Sequence, residues 1–181
     1  MNTVSKLVLF FNVFFVLVNK MPGQAIDEYT LKAVWIAKFP HFIDWPKNDI
    51  DTSQFFNIGI WGNDPFNGQL DSLCGTSQIN GKKVDVEVIY HESDLEQIDL
   101  LFVPAGNKQN IESLLNECSL YHLLIICEEE GVAELGAHIN FIIVNNKVRF
   151  EINEKALRDT GFFVSFRLLN ISKIVKPIVN Q

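Results

Sequence analysis

Short apolar runs alternate with amphipathic stretches along most of the chain. From residue 27 to Phe39, apolar residues recur at spacings of three and four, which predicts an amphipathic helix that Pro40 ends or kinks. The next residues, 41–46, continue this pattern and predict a second short helical piece. Runs of strand length, apolar or alternating, predict four strands further along, at 55–61, 83–90, 99–103 and 123–127.

Helical patterns separate these strands. Asp64 and Pro65 have the residue types preferred at a helix cap and first helical position, and they predict a helix that ends near Cys74. A second helix is predicted over about residues 109–118. Strands that alternate with helices of about ten residues are typical of a parallel sheet with helices on both faces. We therefore predict an α/β fold, a three-layer Rossmann-like sandwich with a mostly parallel sheet.

The carboxyl-terminal third follows a different pattern. Two extended runs, 139–144 and 147–152, flank Asn145 and Asn146. Asparagine tolerates positive φ, so this two-residue link predicts a tight antiparallel hairpin. A closing helical region is predicted from about residue 154 to 174, interrupted at Gly161. The sheet should therefore be mixed, with an antiparallel carboxyl-terminal hairpin.

The first 25 residues have the organisation of an export signal. Lys6 precedes an apolar run at residues 7–18, and small residues follow at Gly23 and Ala25. We predict a signal peptide over residues 1–25, cleaved after Ala25, and a single exported domain over 26–181 that works in the periplasm. An uncleaved amino-terminal anchor is the alternative interpretation.

Cleavage removes two lysines and no acid, which takes the formal charge from −7 to −9. A chain this acidic, without a basic cluster, is a poor candidate for binding nucleic acid.

Three cysteines would enter an oxidising compartment, in which disulfides persist. Cys127 ends an apolar run and is expected in the core. Cys74 and Cys118 each close a helical pattern, and they are the candidate pair for a disulfide. An odd count leaves at least one thiol unpaired or paired between chains.

The sequence lacks the common catalytic and cofactor motifs. The turn at 59–64 lacks the third glycine of a dinucleotide fingerprint and carries a carboxylate where the phosphate would lie. The four histidines show no chelating spacing, and no nucleophile elbow is present. The acidic run at 128–130 is interpreted as solvated charge at the mouth of the sheet, with a cation site as the alternative. We predict no enzyme, no cofactor, no metal and no catalytic residue.

One polar segment near the carboxyl terminus has two interpretations. In a strand, Arg149, Glu151 and Asn153 would point to one face, opposite Phe150 and Ile152. The segment is then either a core strand whose Asn153 caps the next helix, or a polar recognition face beside the closing helical region.

Several blocks, in this order, are those of the YfiR family of periplasmic proteins, which the chain resembles over about residues 27–175. The blocks are Tyr29-Thr30-Leu31-Lys32-Ala33, Phe42-Ile43-Asp44-Trp45-Pro46, Ile60-Trp61-Gly62-Asn63-Asp64-Pro65-Phe66, Gly81-Lys82-Lys83-Val84, Ile139-Asn140-Phe141, Val148-Arg149-Phe150-Glu151-Ile152-Asn153 and Ser165-Phe166-Arg167-Leu168-Leu169. The chain departs from the family at Gly136-Ala137-His138, where a glycine pair is typical. Its three cysteines also cannot supply the two disulfides of the best-known member.

The resemblance implies a Rossmann-like sandwich, often dimeric. It also implies a negative regulator that binds the periplasmic sensing region of an inner-membrane diguanylate cyclase and so lowers cyclic di-GMP signalling, which affects biofilm formation. An outer-membrane lipoprotein sequesters the repressor in the best-known system. A homodimer, a membrane cyclase or other receptor, and such a lipoprotein are therefore the expected partners.

The candidate partner surface combines the polar segment with the two helical regions. Its residues are Trp45, Arg149, Glu151, Asn153, Arg158 and Arg167. The alternative function is a periplasmic small-ligand sensor or solute-binding module that serves another membrane receptor or transporter.

Overall fold

The computed structural model describes residues 27–46, 53–107 and 111–178. The predicted signal peptide and its cleavage site lie outside this part of the chain. Within the described ranges, no helix has both the length and the apolar character needed to cross a bilayer.

An eight-stranded sheet forms the middle layer, with strand order β10-β8-β7-β6-β5-β2-β4-β3. Its strands are β2 (Phe55–Trp61), β3 (Gln78–Ile79), β4 (Lys82–Ile89), β5 (Leu100–Val103), β6 (Leu124–Cys127), β7 (Ile139–Val144), β8 (Lys147–Ile152) and β10 (Lys173–Ile174). The pairs β4–β2, β2–β5, β5–β6 and β6–β7 are parallel, and β7–β8 is antiparallel. A separate two-stranded sheet joins β1 (Ile43–Asp44) to β9 (Phe163–Val164). The prediction of a mostly parallel, mixed sheet is confirmed.

Helices cover both faces of the large sheet. They are α1 (Glu28–Lys38), α2 (Gln69–Cys74), α3 (Ile111–Tyr121), α4 (Val132–Leu135), α5 (Glu154–Asp159) and α6 (Phe166–Leu169), with 3-10 turns at Phe39–Phe42 and Glu92–Gln97. Because side chains alternate along a strand, the buried strand β5 contributes Leu100 to one core and Leu101 to the other. The first core lies under α1, α2, α5 and α6, and the second under α3 and α4. This is the predicted three-layer sandwich.

The hairpin follows the predicted register. Val144 pairs with Lys147, and the link residues Asn145 and Asn146 have φ of 50° and 57°. Asparagine adopts this left-handed region more readily than most residues, which explains the tight turn. The hairpin is not the sheet edge, however, because β10 adds one more strand, parallel to β8.

Two predicted helical regions are wrong in part. The segment after Pro40 is a single 3-10 turn followed by strand β1, since Ile43 and Asp44 pair with residues near the carboxyl terminus. The closing region is also divided: α5 stops before Gly161, whose φ of 88° disfavours helix, and β9, α6 and β10 follow. Long-range strand pairing therefore overrides the local helical pattern at both places.

The helix predicted after Asp64 begins later than expected. The Asp64 carboxylate accepts hydrogen bonds from the backbone N–H of Phe66 and Gly68 at 2.7 and 2.9 Å, but these close turns before α2 starts at Gln69. Asp64 therefore stabilises the loop after β2, while Gly75 lies at the predicted helix end.

Candidate functional site

A cleft opens where the central parallel strands end. It has a volume of about 690 Å³, within the range of small-ligand pockets, and open α/β sheets commonly place ligands at the carboxyl ends of their strands. Its walls come from α1, the segments after β5 and β6, the start of α4, strand β7, β8 and β10. The lining residues are Glu28, Tyr29, Lys32, Ala105, Glu128, Glu130, Gly131, Glu134, Phe141, Ile142, Ile143, Val144, Glu151 and Lys173.

One wall is organised around Lys32, which α1 brings to the end of β6. The side chain of Lys32 is 5 % exposed, and its Nζ lies 2.5 Å from a carboxylate oxygen of Glu28 and 2.5 Å from one of Glu128. Glu128 is equally buried, at 3 % exposure. Its other oxygen accepts hydrogen bonds from the Tyr29 hydroxyl and the Ala105 N–H, each at 2.9 Å. The network ties α1 to the segments that follow β5 and β6.

Tyr29 remains a hydrogen-bond donor in this setting. Burial, reinforced by the negative charge of Glu128, raises the pKa of its phenol to about 12. The Lys32 ammonium also lies 4.6 Å from the centre of the Tyr29 ring, within the range of a cation–π contact. The phenol is therefore neutral at physiological pH, and it stabilises the buried carboxylate as a donor.

The opposite wall is a second chain of polar contacts. The Glu129 N–H donates to Asn140 Oδ1 at 3.1 Å, and Asn140 Nδ2 donates to Glu151 at 3.1 Å. Lys173 Nζ, on β10, donates to the other oxygen of Glu151 at 2.7 Å, and this contact raises the pKa of Lys173. The Glu129 carboxylate in turn accepts the Gly106 N–H at 2.9 Å. The two walls therefore meet at the adjacent residues Glu128 and Glu129.

The cleft is bounded on a third side by the edge of β7. Strand β6 pairs with β7 only at residues 139 and 140, because β6 ends at Cys127. The remaining residues, 141–144, all line the cleft. Consecutive side chains of a strand point to opposite faces, so four consecutive lining residues indicate that the backbone edge faces the opening.

The cleft carries an excess of negative charge. Lys32 balances part of the charge of Glu28 and Glu128, and Lys173 balances Glu151. Glu130 and Glu134 are exposed, and neither forms an ion pair with any residue in the described ranges. Across those same ranges, no group of three or more His, Cys, Asp or Glu side chains is arranged to hold a metal ion. This excess of negative charge favours a cationic group over an anionic one.

The polar segment of β8 divides between surface and interior. Arg149 is exposed, but Glu151 is 7 % exposed and Asn153 is fully buried. Asn153 caps α5 by accepting the Ala156 N–H at 2.9 Å, and its amide donates to the Ala133 carbonyl at 2.7 Å. Asn153 therefore caps the next helix, as the first interpretation predicts, and Arg149 is the exposed member of the proposed recognition face.

The other predicted contact residues lie elsewhere on the surface. Trp45 is half-buried between Phe56 and Phe162, with ring centres 5.3 Å from each. Arg158 is exposed on α5, where its guanidinium lies 3.5 Å from Glu154, and Arg167 is exposed on α6. The structure does not bring these residues into the cleft.

The candidate disulfide requires correction. All three cysteines are buried free thiols. Cys74 lies in the core under α1, whereas Cys118 and Cys127 lie in the core on the opposite face of the sheet. A bridge between Cys74 and Cys118 would have to cross the sheet, so the structure does not support it.

Lys32 and Glu128 are the site residues that the sequence-based prediction missed. The sequence pattern predicts a solvated acidic run at 128–130, but of these three residues only Glu130 is exposed. The sequence contains one signal, because Lys32 lies four positions before Ile36 and therefore shares a helix face with it, and the structure buries both residues. A lysine at a core position requires a buried acid as partner, and the acidic run after a predicted strand offers one.

Similarity to solved structures reflects the fold. A conserved domain protein from Vibrio cholerae matches 82 % of this chain with a TM-score of 0.55 at 13 % identity. The ABC domain in complex with L-Trp from Streptococcus pneumoniae matches 81 % with a TM-score of 0.54 at 10 % identity. This chain covers 60 % of the length of each of these two proteins.

A search of the curated proteins finds no match. The model of the YfiR/HmsC-like family, a family of periplasmic regulatory proteins, matches residues 29–173. The match begins within α1 and ends at the first residue of β10, so it includes every residue that lines the cleft except Glu28. The chain belongs to the YfiR/HmsC-like family.

Proposed function

We propose that this protein is a periplasmic negative regulator that binds the periplasmic sensing region of an inner-membrane diguanylate cyclase and lowers cyclic di-GMP signalling. The observation that carries the proposal is the family match over residues 29–173. Export follows from the predicted signal peptide, with cleavage after Ala25. The chain itself acts by binding, without catalysis.

The surface contains groups suited to a protein partner. Phe166, at the start of α6, is 74 % exposed and precedes the exposed Arg167, and Phe163 of β9 is 60 % exposed. Exposed aromatic side chains and arginines are the residue types that most often anchor interfaces. With Arg149 and Arg158, they form the proposed contact surface for the cyclase, for a second copy of the chain, or for a sequestering lipoprotein.

Deletion of the gene tests the regulatory role. Removing a repressor should raise cellular cyclic di-GMP, and expression of the full chain from a plasmid should restore the original level. An affinity-tagged full chain should recover a membrane cyclase from detergent extracts. Unchanged nucleotide levels in the deletion strain would contradict the proposal. Sequencing the amino terminus of the periplasmic protein tests cleavage after Ala25.

The cleft favours a second candidate function, a small-ligand sensor or solute-binding module. Its volume of about 690 Å³ suits a small molecule, and the fold is similar to that of a domain solved in complex with L-Trp. A ligand that binds only the folded state raises its melting temperature. A thermal-shift screen of amino acids and amines therefore separates this candidate from a regulator that binds only proteins.

A further inference from the structure

Part of β7 is an open strand edge inside the cleft. Both outer strands of the large sheet, β3 and β10, contain only two residues, and very short edge strands limit pairing with other chains. Each of them pairs with only two residues of its neighbour, so residues 84–89 of β4 and 147–150 of β8 are also unpaired on that side. Residues 141–144 of β7 are a third unpaired stretch, because β6 stops before them and no strand in the described ranges pairs with β7 on that side. Of the three stretches, it is the one whose residues line the cleft. Their backbone groups face the cleft, whose volume is about 690 Å³.

We propose that an extended, basic segment of a partner protein adds as a strand to residues 141–144 of β7, inside the cleft. Strand addition to a free edge is a recurrent mode of peptide recognition, in which main-chain hydrogen bonds give affinity and alternate side chains give specificity. The inference rests on the proposed function only for the partner being a protein, and it adds a second contact, at the β7 edge, to the proposed contact surface.

The walls specify the side chains of the added strand. Alternate side chains of such a strand point to the two faces of the sheet. On the α4 face they would meet Glu130 and Glu134, which are exposed and have no ion-pair partner in the described part of the chain. On the α1 face they would meet Tyr29 and the paired Lys32. Cationic residues that alternate with apolar ones fit this arrangement.

Charge also decides against a second copy of the chain as the occupant. Antiparallel pairing of two β7 edges would bring Glu130 and Glu134 of both copies into one cleft, and like charges placed together at an interface oppose association. The chain as a whole carries a formal charge of −7, which adds to this repulsion. A basic segment would instead be attracted by the carboxylates of Glu130 and Glu134.

Binding of a capped peptide of alternating valine and lysine, measured by fluorescence anisotropy, tests the proposal. The peptide should bind the full chain saturably. The same peptide with methylated backbone nitrogens keeps its charge but cannot donate backbone hydrogen bonds to residues 141–144. It should therefore bind at least about tenfold more weakly. A valine–glutamate peptide should not bind. Equal binding of the methylated peptide would overturn the proposal.

Two double variants locate the site. Glu130→Gln with Glu134→Gln should weaken peptide binding roughly fivefold, because two exposed ion pairs are lost. The matched control, Glu96→Gln with Glu112→Gln, removes the same charge from exposed positions that lie on no strand and outside the cleft, and it should leave affinity unchanged. Equal losses in both variants would show general charge attraction and would overturn the proposal. So would self-association of the chain that the peptide disrupts, or displacement of the peptide by a simple diamine at comparable concentration.

The outcome separates this inference from the proposed function. If no peptide binds but gene deletion raises cyclic di-GMP, the regulatory role stands and the β7 edge is not its surface. If the peptide binds as described while deletion leaves cyclic di-GMP unchanged, the edge is a binding site and the regulatory role is wrong.

Discussion

Replacing Lys32 by methionine probes the buried ion pair that holds the cleft together. Methionine keeps most of the length and the apolar character of the side-chain stem but removes the ammonium group. The change leaves the Glu128 carboxylate, 3 % exposed, without its nearest cation. Glu28 is affected less, because 45 % of its side chain is exposed to solvent.

The expected loss of folding stability in Lys32→Met follows from the burial of the ion pair. Removing one partner of a buried pair costs about 3–5 kcal/mol of folding stability, because the remaining charge is uncompensated. The Tyr29 hydroxyl and the Ala105 N–H still donate to Glu128, which places the expected loss for Lys32→Met near the lower end, at about 3 kcal/mol. A domain is typically stable by about 5–15 kcal/mol, so the variant should still fold.

Urea unfolding at pH 7, followed by tryptophan fluorescence, measures this loss. The matched control is Lys155→Met, which breaks an ion pair of the same 2.5 Å length whose partners are 62 % and 59 % exposed, and it should cost less than about 0.5 kcal/mol. The double variant Lys32→Met with Glu128→Gln should be more stable than Lys32→Met alone, because no buried charge remains. Equal costs for the two lysine variants, or a double variant equal to the sum of its singles, would refute the reasoning.

Two further predictions concern buried titratable groups. Burial lowers the pKa of His138 from 6.5 to about 4, and its Nδ1 accepts the Ile125 N–H, so the folded state favours the neutral ring. The folded state then binds fewer protons than the unfolded chain between these values. The contribution of His138 to the free energy of unfolding should be fully present above about pH 6.5 and should be lost as the pH falls towards 4. In urea titrations, the variant His138→Asn should show a weaker dependence of stability on pH. Parallel pH profiles of the two proteins would contradict the burial argument. Burial likewise raises the pKa values of all three cysteine thiols, to about 11 for Cys74. A maleimide should therefore modify none of them in the native chain and all three in urea. Mass spectrometry measures the number of modified thiols. Modification of the native protein, or a mass that indicates a bridge, would count against the structure.

The sequence predicts the sheet well because its strands are determined by local patterns. The run at 123–127 is apolar throughout, as a strand covered on both faces requires, and the alternation at 83–90 matches the half-buried strand β4. Asn145 and Asn146 fix the hairpin through their own backbone preference. Each of these signals resides in the segment that folds.

The parts that the sequence does not predict depend on partners far along the chain. Glu128 is buried by residues of α1 that lie about 100 positions away, and Glu151 is covered by Lys173 of β10. The segment after Pro40 becomes a strand because Ile43 and Asp44 find β9, 120 residues further on. Local patterns do not contain such pairings, so they assign a buried carboxylate to solvent and a short strand to a helix.

Under the proposed function, the binding free energies limit how strongly this protein can regulate. A regulator shifts its partner only by the difference in its affinity for two conformations of that partner, and a hundredfold effect requires about 3 kcal/mol of difference. Two exposed ion pairs at Glu130 and Glu134 supply at most about 1 kcal/mol each. If the partner binds at the β7 edge, most of the difference must therefore come from main-chain hydrogen bonds and apolar contacts along 141–144, which form only when the partner segment is extended. The partner should consequently be bound in the conformation in which its basic segment is released as a strand, and locking that segment into a helix should abolish both binding and repression.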